Sequence, residues 1–206
     1  MVEGQPPAVR RRSETRRRLL SAAAALFEES GRIGQRVEDI CARAGFTRGA
    51  FYSNFTSVDE VYLALHEEQA AIVWGLLRDA LDTQLTADSR TVSLDGAVQG
   101  LLGALPASRD WFSLRSVLLA RAAADPAFAA EMMMDDAGIA SELGDRFIAL
   151  AAVHGRVPDV DPAVLAKAVV AAHIGALSQS PIDADAARTQ WTAVAAVIRG
   201  LTSEPA

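Results

Sequence analysis

The stretch VEDICARAGFTRGAFYSNF, residues 37–55, decides how the rest of the chain is read. Val37, Ile40, Cys41 and Ala44 recur at helical spacing and give a short helix over about 36–43 one apolar face. Gly45 supplies the turn that follows, since a glycine just past a helix takes up the left-handed conformation without steric cost. Thr47 suits the N-cap of another short helix running to about Phe55, with Phe51 and Phe55, four apart, as its anchors. Upstream, Leu19, Ala23, Leu26 and Phe27 mark the inner face of a longer helix over 13–30, which Gly31 closes. Three helices with a glycine turn between the second and third make a helix-turn-helix arrangement. Cys41 faces inward on this pattern, and with no second cysteine in the chain it reads as core rather than as a redox sensor.

Moving outward, the charge is divided unevenly along the chain. Residues 1–65 hold ten arginines against eight acids, and the remainder holds ten cations against eighteen acids, within a net charge of −6. Only the first part suits an approach to a polyanion, and its charge is concentrated in Arg10, Arg11, Arg12, Arg16, Arg17 and Arg18. Residues 1–12, with Pro6 and Pro7, are expected to be a disordered basic arm. The arginines at the start of the first helix oppose its dipole, so their use is expected to be external.

Half of the 206 residues are hydrophobic and 22% are charged, which excludes a disordered or fibrous chain. No stretch reaches the roughly 18 uncharged apolar residues of a membrane span, so no membrane partner is expected. The basic N-terminus has no apolar region behind it that would make a signal peptide. The single cysteine agrees with a reducing compartment, and the chain is expected in the cytoplasm.

Helical periodicity continues past residue 56. Ser57 and Glu60 form a capping box, opening a long helix to about Leu85 with Val61, Leu65, Ile72, Leu76 and Ala80 on its inner face. Prolines at 106, 126, 158, 162 and 181 punctuate further helices over about 92–104, 109–124, 126–154, 162–180 and 183–201. No run alternates like a strand. The chain is therefore expected to be all-α with about nine helices: a basic arm over 1–12, a three-helix helix-turn-helix domain over 13–56, and a larger helical domain over 57–206.

The segment from Thr15 to Leu65 resembles the DNA-binding region of the TetR family of helix-turn-helix transcriptional regulators. That region reads as a helix ending in LF-x-x-x-G, then V-x-x-I-A-x-x-AGVS-x-G-x-LY-x-x-F-x-S-K-x-x-L. Here Leu26, Phe27 and Gly31, then Val37, Ile40, Ala44, Gly45, Gly49, Tyr52 and Phe55, meet it in order and without gaps. The resemblance implies a homodimer that reads palindromic double-stranded operator DNA and responds to a small-molecule effector. A recognition helix enters the major groove by its N-terminal end, which Thr47, Arg48, Gly49 and Ala50 would form. Arg48 is the first choice for a base contact, since a guanidinium can donate twice to guanine O6 and N7. By resemblance Tyr52 donates to a phosphate and Asn54 occupies a contact position; packing against the first helix is the other reading of Tyr52. Arg16 is assigned to phosphate with the basic run. Two departures stand out. Gln35 and Arg36 replace the family's Thr or Ser before the second helix, so that Arg36 would substitute charge for a hydroxyl, and Val58 replaces a phosphate-touching Lys.

For the larger domain the resemblance implies an effector pocket and a four-helix dimer interface. Trp74, Trp111, Phe112, Met133, Phe147 and His173 are bulky or adaptable pocket candidates, each read more readily as core when taken singly; Arg115 is placed to orient an acidic group, with an external salt bridge as the other reading. Leu165, Val169, Ala172 and Ala176 on one helix, with Trp191, Val194 and Ile198 on the next, form stripes broad enough for a subunit interface, the alternative being intradomain core. No cofactor, metal site or catalytic set is expected: the three histidines lie far apart, and His66-Glu67-Glu68-Gln69-Ala70 lacks the second His of a zinc protease motif. The sequence thus points to a ligand-released repressor. An activator, a DNA-binding protein without effector, and a ligand-binding or catalytic helical protein with a vestigial helix-turn-helix stay open.

Overall fold

The computed structural model describes residues 7–86, 92–105, 109–132 and 136–205. Its elements are α1 (Pro7–Ser30), α2 (Val37–Ala44), α3 (Arg48–Tyr52), α4 (Val58–Thr86), α5 (Leu94–Gly103), α6 (Arg109–Ala124), α7 (Pro126–Met132), α8 (Asp136–Val153), β1 (Val157–Pro158), α9 (Pro162–Gln179), α10 (Ala186–Gly200) and β2 (Thr202–Ser203). The fold is all-α apart from one antiparallel pair of two-residue strands, Val157 opposite Ser203 and Pro158 opposite Thr202. There are ten helices among the described residues; α7 and α8 fall within the expected helix over 126–154, and residues 133–135 between them lie outside the described residues.

The first helix starts six residues before the expected Ser13. Proline fits the first helical position, where its missing N–H costs nothing, so Pro7 opens α1 and residues 7–12, expected as disordered arm, are helical. Residues 1–6 of that arm lie outside the described residues.

The chain forms two compact units. The first is Met1–Ala70 with Arg109–Met132. The start of α4 completes its core: Val61, Tyr62, Ala64 and Leu65 are buried with Leu19, Phe27, Ile40, Phe51 and Phe55. Leu114 and Leu118 of α6 and Phe128 of α7 join the same cluster. Asp125 caps α7, accepting from Ala127 N (3.1 Å) and Phe128 N (3.2 Å), and Arg121 of α6 reaches Asp59 of α4 at 2.6 Å.

The second unit is Ala71–Ser108 with Met133–Ala206. Leu81 of α4, Leu101 of α5, Leu150 of α8, Leu165 of α9 and Val194 and Ile198 of α10 form its core. Helices α8 and α9 approach so closely that a Cβ at Gly144 would stand 2.1 Å from the carbonyl oxygen of Pro162. Ile72 and Leu76, expected on the inner face of α4, are exposed; Leu77 and Leu81 are buried in their place. Ala80 is buried as expected, so the expected stripe and the buried one meet again one turn further on.

Candidate nucleic-acid interface

Local chemistry sets the geometry of α2 and α3. Arg36 precedes α2 in extended conformation, and the Asp39 carboxylate accepts from its backbone N–H at 3.4 Å and from its guanidinium Nε and Nη2, both at 3.3 Å. The hydrogen bond from Arg36 holds the Asp39 carboxyl below the usual range, and the same bond raises the Arg36 pKa. Arg36 stays exposed, so the position expected to touch phosphate is reachable, although its charge is shared with Asp39. Gly45 takes φ 73°, ψ 36°, the left-handed turn the sequence requires, and its N–H and that of Phe46 donate to Ala42 O and Cys41 O. Thr47 caps α3, its Oγ1 accepting from Ala50 N at 3.3 Å. Arg48 and Gly49 are exposed and Ala50 half-buried at the start of α3, with Tyr52 exposed one turn further on. These four residues and Thr47 share one surface.

Arg48 Nη1 lies 3.1 Å from Glu38 Oε1 of α2. Hydrogen bonding with Tyr52 and the negative charge of Glu38 raise the Arg48 pKa. Tyr52 also meets Phe51 edge-on, ring centroids 5.4 Å apart, so it packs within α3 while its hydroxyl end stays at the surface. Asn54 is not presented in the same way. Its Nδ2 donates to Ala50 O at 2.8 Å, closing the end of α3, and its Oδ1 is buried without a hydrogen-bond partner among the described residues. Asn54 thus has a local backbone role in α3.

The arginines of α1 are anchored on the protein itself. Arg12 Nη2 donates to Ser53 O at 3.2 Å, at the end of α3. Arg16 lies over the Phe55 ring, 4.5 Å from its centroid. Arg18 Nη2 donates to Ala44 O at 2.7 Å while its guanidinium covers Phe46 at 4.8 Å. Arg12 and Arg18 satisfy carbonyls at helix ends, and Arg16 and Arg18 cover aromatic faces, which offsets the poor match between arginine and a helix N-terminus. Arg17 pairs with Glu14 at 2.7 Å on the solvent side.

Gln35, a departure already visible in the sequence, and Glu38, which sequence reasoning passed over, brace this surface. Gln35 donates through Nε2 to Arg32 O (2.8 Å) and Ser30 Oγ (2.9 Å), and its Oε1 accepts from the hydroxyl of buried Tyr62. Burial pushes the Tyr62 phenol up to about 12, so it remains a donor. The departure at Gln35 was the available signal; Glu38 gave none, since no local spacing rule links it to Arg48. Cys41 is buried, and burial raises its thiol pKa, the opposite of an activated thiolate.

The candidate pocket residues fall in both units. Phe112, half-buried, Arg115 and Trp111 lie on α6 in the first. The Arg115 guanidinium donates to Nε2 of buried His66 at 3.3 Å, an interior contact. Trp74, half-buried, Phe147, fully buried, and His173 belong to the second. His173 Nδ1 lies 2.9 Å from Gln190 Nε2, between α9 and α10, and burial pulls its pKa down to about 4. Met133 lies outside the described residues. Of the expected interface set, Leu165, Val169, Val194 and Ile198 are buried in the core of their own chain; Ala176 is buried, and Ala172 and Trp191 pack partly against that core.

The geometry defines a helix-turn-helix protein. Residues 19–65 match the family model described as bacterial regulatory proteins, tetR family. Among curated proteins no relative matches the sequence. Solved structures share the fold across nearly the whole chain. A candidate TetR-family transcriptional regulator from Mesorhizobium loti matches at 19% identity over 93% of this chain and 98% of that one, with a TM-score of 0.68. A TetR-family transcriptional regulator from Streptomyces coelicolor matches at 20% identity over 97% of both chains, TM-score 0.61. SmeT, the repressor of the Stenotrophomonas maltophilia multidrug efflux pump SmeDEF, matches at 21% identity over 92% and 93%, TM-score 0.58, and its triclosan complex at 23% over 89% and 90%, TM-score 0.61.

Proposed function

We propose that the chain acts in the cytoplasm as a homodimeric repressor that binds palindromic operator DNA through α3 and leaves it when a small-molecule effector binds. The observation that carries the reading is the exposed surface of Thr47, Arg48, Gly49, Ala50 and Tyr52, held by a capped helix on a left-handed glycine turn. Small residues beside Arg48 let α3 approach base edges, and a two-fold dimer would set two such helices about 34 Å apart, one turn of the duplex.

The dimer reading draws on α9. It is 18 residues long with mean hydropathy 1.2, as apolar as a minimal membrane span by length and composition, yet only 22% of it is buried within the chain. Val164, Ala171 and Gly175 are exposed on it, a surface of small apolar residues suited to a second copy of the same helix. The effector reading draws on SmeT, a repressor with this fold that has been captured with triclosan. Trp74 and Phe112 remain ligand-contact candidates. Effector binding would shift α4, whose start is locked into the helix-turn-helix core by Tyr62 and by Asp59 paired with Arg121. The ligand can release DNA only through its preference for the shifted state, and a hundredfold release requires about 3 kcal/mol of such preference.

The test is selection of random duplexes by the pure protein, followed by fluorescence anisotropy on the winner with a panel of small molecules ranked by thermal shift. A palindrome released by at least one thermally stabilising compound is the expected result. Failure to select any duplex at low salt overturns the reading.

A further inference from the structure

We infer that Glu38 is a specificity-determining residue for DNA, holding the Arg48 guanidinium toward a guanine edge and competing with phosphate for it. The inference deepens the proposed function and rests on its reading of α3. An exposed arginine beside a duplex meets phosphates on every side, and nothing in the side chain alone makes it prefer a base. Arg48 is not such an arginine. It opens α3, and Glu38, the second residue of α2, lies 3.1 Å from its Nη1. Both side chains are more than half exposed, at 63% and 51%, so the pair stands on the surface that would meet DNA.

The donor inventory allows a shared arrangement. A guanidinium carries five N–H donors; Glu38 engages Nη1, which leaves Nη2 and Nε, with the second hydrogen of Nη1, for O6 and N7 of a guanine. Tyr52, one turn along on α3, is exposed beside it. Phosphate is treated differently. To pair Arg48 with a phosphate, DNA must bring a negative oxygen next to the Glu38 carboxylate, whereas a guanine edge brings only neutral acceptors. The carboxylate therefore weakens unspecific binding more than specific binding. An exposed ion pair is weak enough to be adjusted on binding, so Glu38 biases Arg48 without locking it. Arg36, next to Glu38 in space as a charge, is engaged by Asp39, which leaves Glu38 to Arg48.

The experiment uses the full chain and the duplex it selects. Kd is measured by anisotropy for that duplex, for a copy with the Arg48-dependent G·C pair replaced by A·T, and for a random duplex, across a salt series. The proteins are the wild type, Glu38→Gln, Glu38→Asp, Arg48→Ala and the Glu38→Gln/Arg48→Ala double variant. Glu38→Gln is expected to tighten the random duplex, to steepen its salt dependence by about one unit, and to lower the preference for G·C by about tenfold. Glu38→Asp restores part of that preference, and in the Arg48→Ala background Glu38→Gln changes it no further. Equal shifts on all three duplexes, no shift on any, or an undiminished effect of Glu38→Gln without Arg48 overturn the assignment. A wild type that selects no duplex overturns the DNA-binding reading itself, and is told apart because the other failures require a wild type that discriminates.

Discussion

The two units are held together by different means. In the first, the decisive contacts lie at helix ends: Arg18 on Ala44 O, Arg12 on Ser53 O, Thr47 on Ala50 N, Gln35 on the loop before α2. In the second, aliphatic side chains fill the space between long helices, and backbones come close enough that Gly144 tolerates no Cβ. Directional polar contacts fix a short helix at a chosen angle, which a surface that must match a duplex needs. Close apolar packing fixes volume and leaves outward faces free to vary.

The largest test of this contrast is Gly144→Ala. Its methyl would meet the Pro162 carbonyl, and α8 and α9 would have to separate, at a cost of about 3 kcal/mol in urea unfolding. A change under 1 kcal/mol would show that the second unit is loosely packed. The pH dependence of the same unit comes next. The folded His173 pKa is depressed to about 4 against an ordinary 6.5, so the unfolded chain takes up the proton first and stability falls as pH drops from 6.5 toward 4. By about pH 4.5 this amounts to about 2 kcal/mol, and His173→Gln should remove that part of the acid sensitivity in parallel melts of the two proteins.

Smaller effects are expected in the first unit, where each polar contact contributes singly. Arg18→Met keeps the aliphatic stem but loses the bond to Ala44 O and the cover on Phe46, and should lower stability by about 1.5 kcal/mol in chemical denaturation. A neutral result would return Arg18 to the role of a phosphate contact. Thr47→Ala removes one cap and should cost about 1 kcal/mol, with DNA affinity falling further than stability because α3 frays where it meets the duplex. Equal losses in both would mean that the cap serves the fold alone.

The same contrast explains what the sequence made legible. Gly31, Gly45 and Thr47 announce helix ends through chemistry confined to a few neighbouring residues, and each stands where it was expected, with Gly31 and Gly45 at positive φ. The partners of Arg12, Arg16 and Arg18 are 26 to 41 residues away in sequence for the two hydrogen-bonded ones, and no spacing rule reaches so far. The stripes on α9 and α10 showed that those helices bury much surface but not against what. A Leu165 facing its own core and one facing a partner carry the same pattern. β1 and β2 are too short for any alternation to register.

Arg156 has a consequence for handling the molecule. Its guanidinium donates to Arg199 O at 3.0 Å and to both the hydroxyl and the carbonyl of Thr202, and Ser203 Oγ donates to Asp159. The last described residues are thereby stitched to the bend after α8. Clipping by trypsin after Arg199 would strip that cation of the tail acceptors it was folded around, so ragged digestion at this bond reports an opened second unit long before bulk spectroscopy registers a change.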